Sequence, residues 1–265
     1  MTAEQLIREG KLEEALQLLQ GEVRKAPENP KLRVFLFQLL VTLGQWDRAL
    51  TQLNVAGELD VANLVLAQTY REVIRCEVLR KEIFSGHKKP LVFGEPAPWV
   101  ALIQEALKLA SENKFLEAIS LREQAFNLAP GVSGTINNEP FNWVADADSR
   151  LGPILEAVIN GKYYWIPFNQ IKEIHIDAPV DLRDFSWMPV HFVWLNEGEA
   201  FGFIPSRYSG SENSIDTNIQ LARKTEWEER VTDFYVGHGQ RMLSTDVNDY
   251  PLFEIREIKV DSNEN

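Results

Sequence analysis

The sequence contains a single cysteine, Cys76, in 265 residues. One cysteine cannot form a disulfide within the chain or a cysteine-based metal site, and its isolation fits a reducing compartment. The first residues show no basic cluster followed by an apolar segment, so no secretory signal is expected. The most apolar run, residues 34–43, is about half as long as a bilayer-spanning helix. We therefore expect a soluble protein in which this run belongs to the core.

Acidic residues outnumber basic residues, and the excess is concentrated in the second half. The net charge is −12, from 39 Asp and Glu against 27 Lys and Arg. Residues 1–130 contain 17 acidic and 16 basic side chains, whereas residues 131–265 contain 22 and 11. An acidic surface repels phosphate backbones, so nucleic acid is not an expected partner. Surface acidity of this kind is typical of a soluble protein.

A short pattern occurs three times in the first half, in residues 10–16, 44–50 and 113–119. Gly10 and Gly44 are 34 positions apart, which is the period of a tetratricopeptide repeat. Gly or Asn at the start can adopt positive φ and end the first helix of a hairpin. Each copy then has a large apolar residue that fills the gap between helices and an alanine that allows two helices to cross closely. These pairs are Leu12 and Ala15, Trp46 and Ala49, and Phe115 and Ala118.

Proline supports the same periodicity. Twelve positions beyond the crossing alanine stand Pro27 in the first copy and Pro130 in the third, where each ends a helix. The second copy has Val61 there and departs from the pattern. Residues 62–84 lack Gly and Pro and predict one long helix, whereas residues 91–98 predict an extended connector before helix resumes at residues 99–111.

The second half has a different character. We predict a loop at residues 131–138 and a short helix at Leu151–Asn160. Runs rich in aromatic and β-branched residues predict strands at residues 163–168, 171–176, 191–195, 200–204 and 252–260. The predicted fold class is therefore α+β, with N-terminal TPR-like helical repeats (residues 1–130) followed by a compact mixed, β-containing C-terminal domain (residues 131–265).

No enzymatic motif is present. Phosphate-binding glycine loops, zinc-binding His-Glu-x-x-His and the nucleophile elbow are all missing, and the four histidines are scattered. Asp146 and Asp148 form the best enzymatic candidate, because a carboxylate pair could hold a divalent cation beside a sugar nucleotide or phosphate. The alternative is structural, with buried carboxylates that accept backbone N–H groups or meet Arg150. We favour the structural alternative and predict no catalytic residue, metal or cofactor.

The apolar run at residues 34–43 leaves hardly any polar face on a helix. Neighbouring helices of a repeat array could cover it on every side. Alternatively, one side could form a groove for an amphipathic helix of a partner, with Phe37, Leu40 and Trp46 as anchors. These three residues are the predicted partner-binding residues.

Longer blocks resemble a known family. They include GQWDRALTQL at residues 44–53, DADSRLGPILE at 146–156 and GKYYWIPF at 161–168, with shorter matches at residues 36–40, 80–86, 204–208, 223–227 and 239–241. In these blocks the chain resembles the ImpE family, also called SciE or TagJ. The resemblance covers residues 30 to 260 and implies a bacterial, cytoplasmic accessory protein of type VI secretion, a virulence-associated machine. It implies association with the small sheath subunit and, through that subunit, with the ATPase that disassembles sheaths, and it supplies no catalytic residue.

Overall fold

The chain folds as a helical front part followed by a part built on β-sheets. The structure is a computed structural model, and it describes residues 1–95 and 97–261. The helices in these residues are α1 (Ala3–Arg8), α2 (Leu12–Lys25), α3 (Pro30–Thr42), α4 (Trp46–Leu59), α5 (Leu64–Phe84), α6 (Pro98–Ser111), α7 (Phe115–Leu128) and α8 (Thr217–Gln220). Helices α1–α2, α3–α4 and α6–α7 form hairpins, and α5 lies between the second and the third.

The three hairpins turn in the same way. Gly10, Gly44 and Asn113 all have positive φ, at 75°, 66° and 61°. The residue after each of them donates its backbone N–H to a carbonyl five positions earlier, with N–O distances of 2.8, 2.9 and 2.9 Å. This is the Schellman arrangement, which satisfies carbonyls at the end of a helix. The predicted repeat pattern is therefore confirmed at its turns.

The crossing positions and the helix ends also follow the pattern. Ala15, Ala49 and Ala118 are completely buried. Helix α4 ends at the same offset as α2 and α7, two positions before Val61, although the second copy has no proline there. Asp60 supplies the local reason, because its side chain accepts a hydrogen bond from the backbone N–H of Ala62 and starts a new turn. The helix α5 confirms the long helix predicted at residues 62–84.

The strands form one large sheet and two small ones. They are β1 (Leu91–Val92), β2 (Gly134–Ile136), β3 (Glu139–Phe141), β4 (Val144–Asp146), β5 (Ile154–Ile159), β6 (Lys162–Pro167), β7 (Ile171–Ile176), β8 (Trp187–Trp194), β9 (Glu199–Pro205), β10 (Thr225–Val231), β11 (Phe234–Gly239), β12 (Met242–Thr245), β13 (Asp249–Pro251) and β14 (Glu257–Val260). The nine-stranded sheet has the order β1-β6-β5-β9-β8-β7-β14-β2-β3, and only the β1–β6 pair is parallel. The small sheets are β13-β12-β4 and β10-β11.

The predicted helix at Leu151–Asn160 was wrong. Strand β5 occupies Ile154–Ile159 and forms a hairpin with β6 through a two-residue turn at Asn160 and Gly161, both with positive φ. Asn-Gly is the commonest sequence of such a turn, so Asn160 and Gly161 were a hairpin signal that the helix prediction overlooked. All six β5 residues are buried, so the strand lacks the alternation of polar and apolar residues that would have revealed it.

Other boundaries also differ from the prediction. The loop predicted at residues 131–138 contains strand β2, which pairs with β14. The strand predicted at residues 252–260 begins with a 3₁₀ turn at Leu252–Glu254, and only β14 is extended. The extended connector includes β1, which adds to the edge of the large sheet.

One face of the large sheet packs against the helices. Buried residues of β5, β6 and β8, such as Val158, Trp165 and Trp187, belong to the same apolar cluster as residues of α1 to α6. The opposite face forms a second cluster within the β-containing part. Trp187 is buried whereas Pro189, two residues along the same strand and on the same face, is exposed. The helices therefore cover only part of the first face. The division of the chain into domains at residue 130 stays a prediction.

Candidate functional site

The predicted partner-binding residues lie mostly inside the protein. Phe37 is fully buried and contacts Tyr70, with ring centroids 5.7 Å apart, and Leu40 is only 1% exposed. Trp46 is partly buried and packs against Trp187 at 6.0 Å. Neighbouring elements therefore cover this side of α3. The burial of Phe37 and Leu40 does not fit the prediction that these residues contact a partner. Their burial assigns them to packing, and only Trp46 keeps an accessible part.

The two candidate metal-binding aspartates are paired with arginines. Asp148 accepts hydrogen bonds from Arg150 Nε at 2.8 Å and Nη2 at 2.6 Å, and from the backbone N–H groups of Arg150 and Gly237, both at 2.9 Å. Asp146 is ion-paired with Arg241 and accepts the backbone N–H of Asp148 at 2.9 Å. The contacts that the structural alternative predicted, to backbone N–H groups and to Arg150, are therefore present. In the described residues no three His, Cys, Asp or Glu side chains converge as metal ligands.

Glu156 on β5 lies at the centre of a larger buried network. Arg80 of α5 donates to it through Nε at 2.6 Å and Nη2 at 3.0 Å. Arg241 and the hydroxyl of Tyr163 contact the same carboxylate. Trp165 Nε1 in turn donates to the Tyr163 hydroxyl at 3.0 Å. Every member is buried, so each charge needs the partners that the network supplies.

Burial and charge pairing act in opposite directions on the acids of this network. Burial alone raises the pKa of Glu156, but the charges of Arg80 and Arg241 outweigh burial and hold that pKa at about 2. For Asp146 burial dominates and raises its pKa to about 7, although Arg241 lowers it in part. Of these two acids, Glu156 is thus the one that remains ionised through the neutral range.

The network joins the helical and β-containing parts. Arg80 Nη2 also donates to the carbonyl oxygen of Arg207 at 2.9 Å, and Arg207 Nη1 donates to the carbonyl of Thr42 at the end of α3, at 2.8 Å. Arg80, Arg207 and Arg241 lie within the blocks that resemble the ImpE family, although the sequence did not show that these blocks meet. The network therefore links the two parts through buried side chains.

The accessible candidate site is a groove beside α5. It has a volume of about 760 Å³ and lies between α5 and the part of the sheet face that the helices leave uncovered. Gln68, Thr69 and Glu72 of α5 form one wall, and the turn at residues 160–161 closes one end. The floor consists of side chains from β7, β8 and β9: His175, Pro189, His191, Phe201 and Phe203. Sequence reasoning missed this groove because its residues come from five separate segments.

Exposed apolar side chains continue the α5 wall. Val65 is 74% exposed and lies one turn before Gln68 and Thr69 on the same side of the helix. Val61, in the turn that precedes α5, is 78% exposed. An exposed apolar patch next to a groove is typical of a surface that binds another protein. Each helix in the described part of the chain is too short or too polar to cross a bilayer.

Comparison with known proteins agrees with this architecture. Residues 138–259 match the family model described as ImpE protein, and residues 6–69 match a tetratricopeptide repeat model. A crystal structure of protein VPA1032 from Vibrio parahaemolyticus has a TM-score of 0.89 to this structure, with 24% sequence identity and coverage of 99% of this chain and 98% of that chain. The predicted fold class, helical repeats followed by a mixed sheet domain, is confirmed.

The chain is a member of the ImpE family of type VI secretion accessory proteins. The type VI secretion system accessory component TagJ of Pseudomonas aeruginosa is 45% identical over 258 residues, which cover 97% of this chain and 90% of that protein. The resemblance found in the sequence is therefore confirmed over nearly the whole chain.

Proposed function

We propose that this protein is a non-catalytic adaptor of a bacterial type VI secretion system. It binds the small sheath subunit through its helical-repeat half and, through that subunit, associates with the disassembly ATPase in the cytoplasm. The observation that carries the proposal is the 45% identity with an accessory component over 97% of the chain. The repeat match at residues 6–69 supports protein binding, because repeats of this kind form extended surfaces for partners.

The distribution of accessible and inaccessible groups supports a binding role over catalysis. The best candidates for chemistry, Asp146 and Asp148, are buried and engaged by Arg241 and Arg150. The apolar Val61 and Val65, in contrast, are exposed on the helical half. Apolar anchors of this kind supply much of the affinity in protein interfaces. We therefore place the sheath-binding surface on the exposed side of α5 and not on Phe37 and Leu40.

Co-purification from cells that carry an intact secretion cluster tests the proposal. We expect the tagged protein to retain the small sheath subunit and the double variant Val61→Asp/Val65→Asp to lose it, because charges at these positions oppose burial in an interface. Leu116→Asp on α7 is the control, since Leu116 is 75% exposed and lies away from α5 in the third hairpin. Failure of the unaltered protein to retain any sheath component would refute the function. Equal retention by both variants would refute the α5 surface.

A further inference from the structure

The groove opens onto a sheet face formed by side chains in register on three strands. His175, His191 and Phe201 stand opposite one another on β7, β8 and β9. Asp177 of the chain after β7 and Pro189 of β8 belong to the next row. We call these five residues the open sheet face. From β7 to the β5 hairpin the face spans about 14 Å, room for about four residues of extended chain.

The open sheet face carries a continuous aromatic stack. The rings of His175 and His191 are stacked with centroids 5.8 Å apart, and those of His191 and Phe201 with centroids 4.7 Å apart. Phe201 ends the stack and is 77% exposed, which is a large unburied area for an aromatic side chain. An aromatic face attracts apolar groups, and it also attracts cations such as the guanidinium of arginine.

Carboxylates surround this stack. Glu199 contacts His191 Nε2 at 2.8 Å, and Glu173 contacts His175 Nε2 at 3.0 Å. Asp177 is exposed, and the described residues offer it no ion-pair partner. The acidic character of the site therefore complements a cationic ligand. It opposes a second copy of this chain, which has a net charge of −12, and it opposes a nucleic acid.

We infer that the groove and the open sheet face bind a basic, partly apolar polypeptide segment of the partner protein. The apolar side chains of the segment pack on Phe201 and on Val65 beside the α5 wall, and its arginine or lysine side chains meet Asp177 and Glu199. This inference rests on the proposed adaptor function and adds the chemistry of the partner. Charge complementarity of this kind directs the choice of partner as well as the rate of association.

Fluorescence anisotropy with a labelled arginine–leucine peptide tests the inference. The counterpart probe has glutamate in place of arginine. We expect the unaltered full-length protein to bind the basic probe and not the acidic one. The double variant Asp177→Lys/Glu199→Lys should bind the basic probe about ten-fold more weakly. The variant Phe201→Ser should also bind it more weakly, because the aromatic platform is removed, with the melting temperature unchanged.

The matched control is Glu13→Lys/Glu14→Lys, which makes the same change in net charge at two exposed positions of α2. We expect this control to bind the basic probe within about two-fold of the unaltered protein. Equal weakening in both charge variants would show that only net charge matters and would overturn the inference. No preference between the two probes would overturn it as well.

The same variants separate this inference from the proposed function in sheath co-purification. Loss of the sheath subunit in the groove variants but not in the control supports both. Retention of the subunit by every variant overturns the groove as its binding site and leaves the adaptor function in place. If the unaltered protein retains no sheath subunit but binds the basic probe in the groove, the function is wrong and the ligand chemistry of the groove stands.

Discussion

Replacement of Arg80 by methionine measures how strongly the buried network joins the two parts of the chain. Arg80 makes two hydrogen bonds to Glu156, at 2.6 and 3.0 Å, and one to the carbonyl of Arg207 at 2.9 Å. Removal of one partner from a buried ion pair costs about 3–5 kcal/mol, because the other charge stays buried. Glu156 keeps Arg241 and Tyr163 in the variant, so we expect the lower end, about 3 kcal/mol.

The assay is urea unfolding followed by tryptophan fluorescence, with thermal unfolding as a second measurement. A loss of about 3 kcal/mol corresponds to a decrease in melting temperature on the order of 10 °C for a chain of this size. The matched control is Arg75→Met on the same helix. Arg75 pairs with Glu72 at 2.7 Å but is 65% exposed, and such pairs contribute less than about 1 kcal/mol. Equal effects of the two variants would refute the role given to the network.

Two further predictions concern Glu156 and the β5–β6 hairpin. The pKa of Glu156 lies at about 2 against an ordinary value of 4.5, so its stabilisation of about 3 kcal/mol is complete above pH 4.5 and is lost as the pH falls towards 2. The stability difference between the unaltered protein and Glu156→Gln should therefore shrink over that window in acid titrations of unfolding, and a difference that stays constant from pH 7 to pH 2 would contradict this reasoning. Gly161→Ala should destabilise the protein by about 1–2 kcal/mol, because Gly161 has φ of 71° and an added Cβ lies 3.1 Å from Glu72. Gly21→Ala, inside α2 with nothing within 4 Å of the added Cβ, should instead stabilise the protein by about 0.5–1 kcal/mol. If urea unfolding showed Gly161→Ala to be the more stable of the two variants, this account of the turn would be contradicted.

Features that depend on neighbours in sequence were predicted well. Positive φ at Gly10, Gly44 and Asn113 follows from residue type, and it produced three equivalent helix ends. The pairing of Asp148 with Arg150 was also predictable, because the two residues are only two positions apart. The blocks that resemble the ImpE family identified the chain because they are long and contain unusual residue combinations.

The site was less predictable. Phe37 and Leu40 were selected because α3 has no polar face, but a helix that is apolar all round can equally be a helix that other elements cover. Which of the two applies depends on α5 and on the sheet, which pack against that side. The periodicity of α3 alone contained no information about those neighbours.

The sequence by itself determined the local units of this protein: where hairpins turn, where helices cross closely, where they end, and to which family the chain belongs. Each of these depends on side chains a few positions apart, so a linear pattern contains it. The tertiary structure alone decided that residues 154–159 form a strand, that Arg80, Glu156 and Arg241 share one buried network, and that an aromatic and acidic face stays open beside α5. These features depend on contacts between segments far apart in the chain, because burial and charge pairing are properties of neighbours in space.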